Sequence, residues 1–227
     1  MITRPPNPLI VAVDVSALAE ADRLAALLAP EVAMLKIGLE LVWAEGPAAV
    51  RRLADAAPVF ADAKLHDIPN TVERASANIA RLGVAMFNVH ALGGEAMMRA
   101  ALAGAERGAR EGGHPVPMVI AVTVLSSQSG EDLASPASLA FEAKAAGLQG
   151  VVVSGDDVED VRAVCGEGFC LVVPGIRPAG SNGHDQVRVL TPTEAIEKGA
   201  DYLVVGRPIT ASDDPAGVAR GVVTSLR

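Results

Sequence analysis

The residues of this sequence best suited to chemistry are concentrated in one stretch, Phe60-Ala-Asp-Ala-Lys-Leu-His-Asp-Ile-Pro-Asn-Thr71. Asp62 and Lys64 stand two apart, and on a β-strand that spacing sends both side chains to the same face. Burying a carboxylate and an ammonium together is costly unless they are paired and hydrogen-bonded. Asp67, past the end of such a strand, adds a second carboxylate near the same lysine. Two readings fit the pattern. One is an ion pair that merely plugs a structural gap; the other is a lysine held cationic between carboxylates, ready to donate a proton where negative charge develops. His66 and His90 lie close by in the pattern, but a lone histidine is more often a hydrogen-bonded structural residue than a catalyst.

A pair of this kind needs a rigid frame, and the chain supplies one in repeating form. Short apolar runs mark candidate strands at Leu9–Val15, Val32–Ile37, Val59–Leu65, Met86–His90, Met118–Leu125, Val151–Ser154, Cys170–Pro174 and Tyr202–Gly206. Most are rich in Val, Ile or Leu, as in strands buried on both faces. Amphipathic segments separate them: Val72, Ala75, Ser76 and Ile79 fall at helical spacing, with Glu73, Arg74 and Arg81 on other faces. Pro69 suits the first turn of that helix, and Gly83, Gly147 and Gly199 suit helix C-termini. Eight strands alternating with eight helices predict an α/β fold, a (β/α)8 TIM barrel, in one domain over residues 1–227. A doubly wound open sheet is the alternative. The barrel is favoured because Asp14, Lys36, Asp62, Lys64, His90, Ser126, Ser154 and Gly206-Arg207 all fall at strand C-termini, which share one mouth only in a barrel.

Composition narrows the function. The 227 residues carry a formal net charge of −8 with one Trp and one Tyr, a poor endowment for binding nucleic acid. An anionic small molecule remains compatible, because local Lys and Arg outweigh distant charge. Cys165 and Cys170 match no common metal motif and read as free thiols of a reducing compartment. The N-terminal residues lack the character of a signal peptide. The longest stretch without Asp, Glu, Lys or Arg, Gly112–Gly130, is broken by prolines, so neither a membrane span nor export is expected.

The block Asp62-Ala-Lys-Leu-His-Asp-Ile-Pro-Asn-Thr71 resembles the Asp-x-Lys-x-x-Asp array of orotidine 5′-phosphate decarboxylases. Further pieces match in the same order. Asp14 ends Val-Ala-Val-Asp and Lys36 lies in Leu-Lys-Ile-Gly, followed by Asn88-Val-His-Ala91 and Thr123-Val-Leu-Ser-Ser127. Then come Pro174-Gly-Ile-Arg177, Asp185-Gln-Val-Arg188 and Val205-Gly-Arg-Pro208. The likeness covers nearly the whole chain. Ala61 and Ala63 stand where the family usually has bulkier aliphatics, and Ser126 stands where many members have Thr, which keeps the hydroxyl.

The resemblance implies a cytoplasmic, metal- and cofactor-independent lyase of de novo pyrimidine biosynthesis, converting orotidine 5′-phosphate to uridine 5′-phosphate and carbon dioxide. Loss of the carboxylate leaves a C6 carbanion that must be stabilised electrostatically or protonated. The implied catalytic residues are Lys64 as proton donor, Asp62 against the substrate carboxylate, and Asp67 and Lys36 completing the array. Asp14 and Lys36 would hold the ribose hydroxyls, and Ser126 would read the pyrimidine edge. Gly206 and Arg207 follow strand eight, where barrels commonly build phosphate sites. Arg177 and Gln186 lie on the long loop after strand seven, with Gln186 bridging phosphate and base. Asp67, Ile68 and Thr71 would reach the neighbouring subunit's site, implying a homodimer with shared active sites. Two other functions remain open: a related barrel using the same array for Mg²⁺-dependent chemistry on sugar phosphates, and a catalytically silent binder of pyrimidine nucleotides.

Overall fold

The computed structural model describes residues 5–124, 134–177 and 190–226. In chain order the elements are β1 Leu9–Ala12, α1 Leu18–Leu28, β2 Met34–Ile37, α2 Leu39–Glu45, α3 Pro47–Ala54, β3 Val59–Leu65, α4 Pro69–Ala80, β4 Met86–His90 and α5 Gly94–Gly112. They continue with β5 Met118–Val122, α6 Pro136–Ala146, β6 Gly150–Val152, α7 Val158–Cys165, β7 Cys170–Val173, α8 Pro192–Glu197, β8 Tyr202–Val205, α9 Arg207–Thr210 and α10 Pro215–Thr224. All eight strands pair in parallel and in sequence order, and β8 closes on β1 through Leu9↔Leu203 and Val11↔Val205. The expected (β/α)8 TIM barrel is therefore present, and the open-sheet alternative is excluded by that closure.

Strand alternation sorts the side chains into two cores. Outward positions such as Val11, Leu35, Val59, Phe87, Val119, Leu171 and Leu203 pack against the helices in one large apolar cluster. Inward positions form a second, smaller cluster of Ile10, Ala12, Met34, Phe60, Met86, Ile120, Cys170, Val172 and Val204. Three of these inward series turn polar one step further up: Met34 is followed by Lys36, Phe60 by Asp62 and Met86 by Asn88. The period of two thus delivers Lys36, Asp62 and Asn88 to the barrel interior, each one step above an apolar residue.

Six strands are shorter than their apolar runs predict, mostly at the C-terminal end; only β3 and β4 match in full. Asp14, Ser154, Pro174 and Gly206 lie beyond the ladder, where the chain leaves the sheet for the next helix. The helical layer is also more broken than eight units. Gly46, at φ 78°, and Pro47 divide α2 from α3, and the four-residue α9 precedes α10. Pro69 begins α4 as expected, and Gly147 caps α6 in the left-handed region. No helix among the described residues is long and apolar enough to cross a membrane.

Candidate active site

Lys36 and Asp62 arrive at the mouth already paired. The Lys36 ammonium donates to Asp14 Oδ1 at 2.9 Å and to Asp62 Oδ2 at 3.1 Å. Lys64 donates to the other oxygen, Asp62 Oδ1, at 2.6 Å, and the buried Asn88 amide donates to that same oxygen at 2.7 Å. The result is an alternating chain of charge, Asp14–Lys36–Asp62–Lys64. Its inner members are almost dry: the side chains of Lys36 and Asp62 are 11% and 12% exposed, against 33% for Lys64 and 51% for Asp14.

Burial works against both inner charges, yet neither is neutralised. For Lys36, desolvation is outweighed by attraction to Asp62 and Asp14 and by hydrogen bonds to both, so its pKa stands above the ordinary lysine value. For Asp62, desolvation is outweighed by Lys36, Lys64 and the hydrogen bonds from Lys64 and Asn88, so its carboxyl is held below the usual range. Both oxygens of Asp62 are engaged by ammonium groups, Oδ2 by Lys36 and Oδ1 by Lys64.

The two-residue spacing of Asp62 and Lys64 does bring them together, but not along a regular strand. β3 pairs with β4 at Ala61↔Phe87 and again at Leu65↔Val89, so Asp62, Ala63 and Lys64 all face the single residue Asn88. Lys64 sits at φ 48°, the one described non-glycine residue with positive φ. That conformation costs an L-residue about 1–2 kcal/mol. A bulge of this kind re-aims a side chain near a site, and here it directs the lysine at the carboxylate two residues before it.

The array forms one wall of a cavity of about 330 Å³, within the size range of small-molecule sites. Phe60, Val122, Val152 and Val204 supply apolar lining, and Arg177, Gly206 and Arg207 approach from the β7 and β8 side. The cavity therefore combines an alternating ion chain, two arginines and an apolar surface, a set suited to an anionic molecule with a weakly polar middle.

The sequence-derived residues divide clearly. Asp14, Lys36, Asp62, Lys64, Arg177, Gly206 and Arg207 converge on this cavity. Ser126 and Gln186 lie outside the described residues. Asp67, Ile68 and Thr71 are exposed at the start of α4 and do not line the cavity. Within one subunit Lys64 pairs with Asp62, while Asp67 Oδ1 accepts from the backbone N–H of Ile68 at 2.6 Å. The chain turns into α4 at this point. His66 and His90 stack with ring centroids 5.3 Å apart, and burial, then His66 and Lys64, hold the His90 pKa below the ordinary histidine value.

Asn88 is a contributor to which sequence reasoning assigned no role. Its signal was present: a polar residue in inward phase within the otherwise apolar Met86-Phe-Asn-Val89.

Comparison with known proteins adds an independent finding. Residues 7–222 match the model of the orotidine 5′-phosphate decarboxylase / HUMPS family. The chain is 46% identical to the orotidine 5′-phosphate decarboxylase of Moorella thermoacetica, over 97% of this chain and 92% of that protein. It is 47% identical to the enzyme of the same name from Anaeromyxobacter dehalogenans, over 98% of this chain and all of that protein. Among solved structures, orotidine 5′-phosphate decarboxylase from Lactobacillus acidophilus superposes with a TM-score of 0.85 at 33% identity, covering 97% of this chain and 99% of the other.

Proposed function

Because the chain belongs to the orotidine 5′-phosphate decarboxylase / HUMPS family, we propose that it removes the C6 carboxylate of orotidine 5′-phosphate, giving uridine 5′-phosphate and carbon dioxide. The observation that carries this reading is the alternating Asp14–Lys36–Asp62–Lys64 chain on the wall of the mouth cavity.

The reaction breaks the C6–carboxylate bond and leaves its electron pair on C6, where no carbonyl is placed to delocalise it. Catalysis must then come from preorganised charge. Lys64 is the proton donor: its ammonium stabilises the developing carbanion, protonates C6, and regains a proton from solvent. Asp62 stands where the substrate carboxylate is destabilised by like charge, and the departure of carbon dioxide relieves that repulsion. Lys36 holds Asp62 ionised from the opposite side and, with Asp14, binds the ribose hydroxyls. Arg207, with Gly206 and Arg177, receives the 5′-phosphate; Gln186 bridges phosphate and base, and Ser126 reads the pyrimidine edge. No metal or organic cofactor takes part.

The exposed Asp67, Ile68 and Thr71 complete the partner's site in a homodimer. Their exposure and their absence from the lining of their own subunit's cavity support that role. Phosphate and ribose contacts supply the binding energy that keeps the array in register, since the largest enzymatic accelerations demand over ~20 kcal/mol of transition-state stabilisation. The whole chain serves as one catalytic domain of cytoplasmic pyrimidine biosynthesis.

The test is direct. Pure protein mixed with orotidine 5′-phosphate should bleach the substrate's absorbance at the same rate with and without excess chelator. Lys64→Ala should abolish turnover while the folded protein still binds uridine 5′-phosphate. Turnover that vanishes in chelator, or that survives in the Lys64→Ala variant, overturns the mechanism.

A further inference from the structure

Asn88 occupies the middle of β4, pairs with Ile120 of β5, and has no exposed surface. A primary amide in that position is tolerated only if its donors and acceptor are engaged, and each end is engaged by a different part of the array. Its Nδ2 donates to Asp62 Oδ1 at 2.7 Å, and its Oδ1 accepts the backbone N–H of Lys64 at 2.7 Å. Through the bulge, Asn88 is the single β4 residue facing Asp62, Ala63 and Lys64. The N–H of Lys64 is displaced from the regular ladder there, and the Asn88 side chain supplies the acceptor that a β4 carbonyl would otherwise provide. The same side chain fixes the oxygen to which the Lys64 ammonium donates.

We propose that Asn88 is the positioning residue of the decarboxylation site, clamping the bulged backbone of Lys64 and the inner oxygen of Asp62 so that ammonium and carboxylate keep one fixed geometry. The proposal rests on the decarboxylase reading above. Asn is suited to the task because one rigid group both donates and accepts. Asp would accept from the Lys64 N–H but oppose Asp62 with a second carboxylate, and Leu would leave the Lys64 N–H without its acceptor and remove one donor from Asp62 Oδ1.

Asn88 acts only through Asp62 and Lys64, so its loss should fall on the chemical step rather than on nucleotide binding. Asn88→Ala should lower kcat by about 10²-fold, the scale of a sub-ångström to ångström misplacement. KM for orotidine 5′-phosphate and Kd for uridine 5′-phosphate should stay within about threefold of the parent, a split of the kind that marks an interaction made for the transition state. Asn88→Asp supplies a pH signature. Protonation of the introduced carboxyl restores a donor toward Asp62 while keeping an acceptor for Lys64, so its kcat relative to the parent should climb as pH falls. The Asn88→Ala ratio should stay flat over the same range. This second variant also carries the test if Asn88→Ala does not fold.

Three results would overturn the assignment: kcat retained in both variants, parallel loss of kcat and nucleotide binding, or a pH-independent ratio for Asn88→Asp. A parent protein that does not decarboxylate orotidine 5′-phosphate defeats the underlying reading instead, and that is visible before any variant is made.

Discussion

Replacing Asp62 by Asn keeps the shape of the side chain and removes its charge from the centre of the ion chain. The cost follows from its contacts. Asp62 receives three donors, from Lys36 at 3.1 Å, Lys64 at 2.6 Å and Asn88 at 2.7 Å. The Asn Oδ1 can still accept on one side, but its NH₂ then faces the buried Lys36 ammonium, donor against donor. Breaking a buried pair by removing one partner costs about 3–5 kcal/mol. Lys36 retains Asp14 at 2.9 Å, and Lys64 is partly solvated, so the lower end, about 3 kcal/mol, is expected. For a chain of this size that corresponds to a fall in Tm of about 6–12 °C, read by thermal unfolding at fixed protein concentration and pH 7. The pH dependence has a definite sign. The folded-state pKa of Asp62 is depressed, so its stabilisation is fully present above the unfolded carboxyl value, about 3.9, and is lost as pH falls through the folded value. The gap between parent and variant should therefore be full at neutral pH and close in acid. Adding Lys36→Met should cost less than the sum of the single changes, because the double variant no longer buries an unpaired ammonium. A Tm unchanged at pH 7, or strict additivity of the two substitutions, would show that the array is not a coupled buried unit.

Arg207→Ala should weaken binding of uridine 5′-phosphate by roughly 10–100-fold, the worth of one charge-assisted contact, and leave uridine binding nearly unchanged; equal losses in calorimetric titrations of both ligands would contradict the phosphate role. Gly108→Ala addresses the support behind β3. A Cβ built at Gly108 lies 2.1 Å from the Ala77 carbonyl oxygen, so α4 and α5 would have to separate. A loss of about 1–3 kcal/mol is expected from overpacking, and an unaltered melting curve would mean that the two helices do not meet that closely.

Much of this protein is legible along the chain. Eight apolar runs separated by amphipathic segments require a parallel sheet covered by helices, because strands so apolar must be buried on both faces. The period of two then assigns Lys36 and Asp62 to the inside, above Met34 and Phe60. Polar residues clustered at strand ends locate the mouth. None of this needs coordinates, since it depends only on which face a side chain takes.

What lay opposite each residue was decided by closure of the sheet. The run Ala61-Asp-Ala-Lys-Leu65 reads as ordinary alternation, and nothing local in it announces a bulge. Only the register against β4 shows three residues facing Asn88 and Lys64 turned to φ 48°. Asp67 likewise follows Lys64 by three residues, and only the entry into α4 shows its Oδ1 accepting from the Ile68 N–H. Arg177 and Arg207, more than a hundred residues from the lysine, share its cavity because β7 and β8 curl round to β1. Side-chain phase is a property of the local backbone and can be read from sequence; cross-strand partners and distances across the mouth are set by the packing of the complete barrel.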